Sequence, residues 1–96
     1  MVSNLALALL LQSGIYECPH DPNICDQEVR VYQTQNEITA IKVEYVGYCG
    51  SMGPYLYYCT GNVCSDGGNA EFTLLGANRY LWQNLGHPYS CEFRKK

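Results

Sequence analysis

From Glu37 onward the hydrophobic and polar positions alternate. Ile41, Val43 and Tyr45 are separated by Lys42 and Glu44, the period of two that marks a strand with one buried face. Gly47 to Gly53 breaks the pattern, and Pro54-Tyr55-Leu56-Tyr57-Tyr58-Cys59 predicts a second strand that turns at Gly61-Asn62. Asp66-Gly67-Gly68-Asn69 reads as a loop, Phe72 and Leu74 define a third strand, and Gly76-Ala77-Asn78 turns into Arg79-Tyr80-Leu81-Trp82-Gln83. Leu85-Gly86-His87-Pro88 turns again into Tyr89–Arg94, with Tyr89, Cys91 and Phe93 on one side and Ser90, Glu92 and Arg94 on the other. The second half is therefore an antiparallel meander.

The first half is ambiguous. Asn23 is placed to cap a helix beginning at Ile24 or Cys25, and Cys25, Val29 and Tyr32 recur at helical spacing. Yet Glu28-Val29-Arg30-Val31-Tyr32 also alternates, and Val is a poor helix former, so residues 24–36 fit a helix or a strand. Upstream, Leu5–Leu11 is an apolar run between Met1–Asn4 and Gln12-Ser13-Gly14. That arrangement predicts a secretory signal peptide over 1–14 and one domain over 15–96, although no Lys or Arg precedes the run. The alternative is an amphipathic or buried N-terminal helix. The run is too short to span a bilayer, so no membrane partner is expected.

Composition sharpens the class. Six cysteines in 96 residues point to disulfides and an oxidising, extracellular location. No Cys-x-x-Cys occurs and His20 and His87 are not at ligand spacing, so neither a metal nor another cofactor is expected. The net charge of −3 argues against strong nucleic-acid binding. Nine tyrosines offer rigid contact surface with polar tips.

Tyr16-x-Cys18, Ile24-Cys25-Asp26-Gln27-Glu28-Val29-Arg30, Pro54-Tyr55, Gly76-Ala77-Asn78-Arg79 and Cys91-Glu92-Phe93 occur in an order that resembles the ribonuclease-like secreted effectors of powdery mildew fungi, within the guanyl-preferring fungal ribonuclease superfamily. The resemblance implies an α+β fold, one short N-terminal helix packed on a small antiparallel sheet stapled by disulfides. An all-β sandwich, with Val29 to Tyr32 as a strand, is the alternative. The resemblance also pairs Cys18 with Cys91, which closes the longest loop. Cys59–Cys64 then spans the Gly61-Asn62 turn, leaving Cys25–Cys49.

The resembled ribonucleases need a carboxylate base, a histidine acid and an arginine near the phosphate. Arg79 matches the arginine position and His87 is a loose match for the acid. The glutamate expected after the Pro-Tyr pair is replaced by tyrosine, and Glu44 is the only substitute. The chain is therefore expected to be a pseudoenzyme: a monomeric secreted effector that binds a host protein, with at most weak RNA affinity, acting outside cells or after translocation into host cells. Tyr55, Tyr57, Tyr58 and Arg79 are the expected contact residues, and at least one of the tyrosines must be exposed. Competing expectations are an active ribonuclease or ribotoxin using Glu44, Arg79 and His87, and a small disulfide-rich toxin or defence protein.

Overall fold

The computed structural model describes residues 11–21, 23–33, 39–46, 52–86 and 88–96. Eight strands follow in chain order: β1 Gly14–Glu17, β2 Gln27–Gln33, β3 Thr39–Tyr45, β4 Met52–Thr60, β5 Val63–Ser65, β6 Ala70–Leu74, β7 Arg79–Asn84 and β8 Tyr89–Lys95. Each pairs antiparallel with the next, and β1 pairs with β8, so the sheet closes into an up-and-down barrel. Closure rests on Tyr16 opposite Lys95 and Glu17 opposite Arg94, extended by the Lys96 N–H donating to the Ile15 carbonyl at 2.8 Å. A closed barrel leaves few strand edges open to unwanted pairing.

Alternation decides what fills the barrel. Tyr16, Val29, Ile41, Val43, Tyr57, Cys59, Cys64, Phe72, Leu74, Tyr80, Cys91 and Phe93 point inward and are buried. Outward positions of β2, β3 and β8 carry Glu28, Arg30, Lys42, Glu44, Glu92 and Arg94, charges that suit water. An eight-stranded barrel has an interior about wide enough for side chains to fill or for one small ligand. Here a file of stacked rings runs through it. Tyr57 stacks on Phe72 at 4.3 Å, Phe72 on Tyr80 at 4.4 Å and Tyr80 on Phe93 at 5.3 Å.

The α+β, ribonuclease-like fold expected from the sequence is not the fold of this chain, and neither is the open sandwich. No helix occurs among the described residues. Residues 18–21 and 23–26 belong to an irregular strap, and 27–33 form β2, because Val29 faces the core while Glu28 and Arg30 pair outside it at 2.7 Å. The helical stripe is thereby split: Val29 is buried and Tyr32 is exposed on the opposite face. The five strands expected in the second half are present, whereas β1 and β5 were not expected.

Two described disulfides, Cys18–Cys91 and Cys59–Cys64, match the expected pairs. Cys25 is also disulfide-bonded, and its expected partner Cys49 lies outside the described residues. These bonds fit an oxidising environment. No helix among the described residues is long and apolar enough to cross a membrane.

Candidate binding site at the barrel mouth

The stacked rings plug the barrel toward the end where β4 turns into β5. At the other end the strap crosses the opening and leaves a cavity of about 320 Å³. The strap contributes Asn23, Ile24 and Cys25, and the barrel contributes Gln27, Tyr45, Trp82, Tyr89 and Phe93. Inward alternation on β7 and β8 carries Trp82, Tyr89 and Phe93 to this end, and Tyr45 and Gln27 sit opposite one another where β3 meets β2. The volume lies at the low end of the range for small-molecule sites, about 300–1,000 Å³.

The strap is held at several points. Cys18 ties its start to β8, and the Val46 N–H donates to the Asp26 carbonyl at 3.0 Å. The Asp21 carboxylate organises the middle, accepting from the Asn23 N–H at 3.1 Å and from the Tyr89 hydroxyl at 3.3 Å. Lys96 adds an ion pair to Asp26 at 2.7 Å. The cavity is thus shaped by the fold before any ligand arrives.

Its described lining is largely aromatic and uncharged. Trp82 and Tyr89 meet edge to face at 5.7 Å, forming a corner. Tyr45 faces Tyr55 at 5.9 Å. On the floor, the Tyr80 hydroxyl donates to the Gln27 side-chain carbonyl, and Gln27 is the one buried polar or charged residue among those described. The Trp82 indole N–H is buried and falls short of a hydrogen bond. It nevertheless lies close enough to the Tyr57 hydroxyl to offset part of the rise in pKa that burial imposes there. Burial also raises the Tyr45 and Tyr89 hydroxyls, with the Asp21 charge adding to the rise at Tyr89.

Of the candidate nuclease residues, the two that the structure describes, Glu44 and Arg79, lie on separate strands, β3 and β7. Glu44 projects outward from β3 beside Lys42 at 3.9 Å. Arg79 lies across the barrel on β7, exposed and paired with Glu92 at 3.4 Å. That carboxylate is held below the usual range chiefly by the hydrogen bond from Arg94, and Arg79 adds to the effect. His87 lies outside the described residues, and His20 is exposed on the strap.

The expected contact tyrosines divide between inside and outside. Tyr57 is buried in the ring stack, Tyr55 is 39% exposed near Tyr45, and Tyr58 is 55% exposed on the outer face. The strand map separates Arg79 from all three, since β5 and β6 lie between β7 and β4. The mouth residues were missed as a group. Their signal was present in Tyr89, Cys91 and Phe93 sharing one side, but nothing local shows that Tyr45 and Gln27 meet them.

A second concavity, about 440 Å³, lies along β1 and β2 around the exposed Glu28–Arg30 pair. One ring, Tyr32, lines it, against four at the mouth. Comparison with protein-family models, with curated proteins and with solved structures returns no match.

Proposed function

We propose that this is a secreted, non-catalytic binding barrel that holds a small, largely apolar molecule at its mouth. The observation that carries the reading is the preformed cavity between strap and barrel, walled by Trp82, Tyr89, Tyr45 and Phe93, with no charged side chain among the described residues that line it. Burying apolar ligand surface there supplies affinity at about 25 cal/mol per Å² before the losses of association are counted. The reading includes no catalytic step: of the candidate nuclease residues, Glu44 and Arg79 stand outside the barrel on separate strands. The exported location rests on the leader-like N-terminus together with the disulfides.

The test is a titration of the refolded, disulfide-bonded protein with small uncharged molecules such as benzyl alcohol, followed by amide NMR. Shifts confined to positions 23–25, 27, 45, 82, 89 and 93 are the expected result. Shifts scattered over the outer strands, or none from a folded protein, overturn the reading. Incubation with total RNA should leave the RNA intact.

A further inference from the structure

The mouth has the makings of an aromatic cage, and the geometry points to a small organic cation bearing a methylated ammonium as its ligand. This inference rests on the reading of the mouth as a binding site and adds the chemical class. Ring faces carry negative charge density, so cations are attracted to aromatic walls, more strongly when water is excluded. Four rings reach the cavity from three strands: Tyr45 from β3, Trp82 from β7, and Tyr89 and Phe93 from β8. Trp82 and Tyr89 stand at 62° to each other, so they wall a corner.

Charge selects between a cation and its neutral isostere. Among the described residues, no Lys, Arg or His lines the cavity. A charge tied to its wall is the Asp21 carboxylate, which accepts from the Tyr89 hydroxyl at 3.3 Å and whose field contributes to raising that hydroxyl's pKa. Asp26, at the end of the strap, is already neutralised by Lys96 at 2.7 Å. Asp21 therefore remains as the anion behind the rings, and the whole chain carries a net charge of −3. An anionic ligand would meet aromatic walls and a carboxylate with no compensating cation among the described lining residues. A methylated ammonium suits the site better than a primary amine, because it sheds its weakly held water readily and covers the rings with methyl groups. The cavity of about 320 Å³ accommodates such a headgroup.

The probes are choline, tetramethylammonium and 3,3-dimethylbutan-1-ol, the uncharged isostere of choline. Trp82 is the one tryptophan, so its fluorescence reports the site directly. Choline should change it saturably and bind about tenfold more tightly than the isostere. Tyr89→Leu should reduce that preference toward parity while benzyl alcohol still binds. Asp21→Asn, which keeps an oxygen to accept from Tyr89, should weaken choline severalfold and leave the isostere unchanged. Equal binding of choline and the isostere overturns the cation inference and leaves the apolar site standing. Silence from choline and tetramethylammonium while benzyl alcohol binds has the same meaning. Silence from every probe overturns both.

Discussion

At Tyr80 the rings of Tyr16, Phe72 and Phe93 converge within 5.3 Å, and its hydroxyl donates to the buried Gln27 carbonyl. Tyr80→Phe keeps the rings and orphans that carbonyl, which should lower stability by about 1–3 kcal/mol in urea denaturation. Adding Gln27→Leu removes the orphan and should recover part of the loss; a double variant no better than the single one would count against the account. The same burial governs the response to alkali. Tyr16 and Tyr57 are pushed from the ordinary 10.0 to about 12, and Tyr80 well above 10.0, all chiefly by burial. A raised tyrosine pKa means that folding favours the neutral phenol. Its stabilisation is complete below about pH 10 and is lost as pH rises through about 12. Titration of phenolate absorbance should therefore show these three ionising late, together with loss of the barrel's circular dichroism. Early, independent ionisation of all nine tyrosines would refute it.

Among the elements, β2 and the strap show where sequence pattern stops informing. Residues 28–32 satisfy both periods, and the choice is made by β1 and β3, which offer Gln27, Glu28 and Val29 partners on both sides. β5 has only three residues, Val63–Ser65, too few for alternation to register, yet Cys64 opposite Cys59 fixes it. In contrast, β3, β6 and β8 were legible because one polar and one apolar face alternate along them, and β4 and β7 because apolar and aromatic runs are bounded by turn residues. The candidate nuclease residues were chosen by order along the chain, which carries no information on which strands face each other. Disulfides supply some of that information, and they differ in weight. Cys18–Cys91 spans 73 residues and Cys59–Cys64 only 5. In the chain-entropy picture the first restrains the unfolded state by about 4–5 kcal/mol and the second by about 2. Replacing Cys18 and Cys91 by Ala should therefore lower the urea midpoint about twice as far as replacing Cys59 and Cys64. It should also weaken binding at the mouth, because the strap loses its tie to β8. A larger loss from the Cys59–Cys64 pair would reverse this ranking.

For the whole molecule, barrel closure is the property least visible in the sequence, since it depends on β1 meeting β8 from opposite ends of the chain. β1 has only four residues, Gly14–Glu17, and the segment before it reinforces the seam. Leu11 is buried in the core. Gln12 donates its N–H to the Ala77 carbonyl at 2.9 Å and accepts the Tyr16 hydroxyl at 2.6 Å. The Ser13 hydroxyl oxygen accepts from the Val31 N–H at 3.0 Å, continuing along β2 beyond its last partner in β1. These residues fall inside the expected leader, so processing before Ile15 would remove contacts that the barrel uses. Burial of a leucine contributes about 1.5–3 kcal/mol and each hydrogen bond about 1. A chain beginning at Leu11 should thus exceed one beginning at Ile15 by about 3 kcal/mol or more in urea denaturation. The exported protein, read by mass spectrometry, should begin at or before Leu11. Equal stability of the two chains would mean that β1 and β8 hold the seam unaided, and an exported N-terminus at Ile15 would mean that the working barrel is closed by those two strands alone.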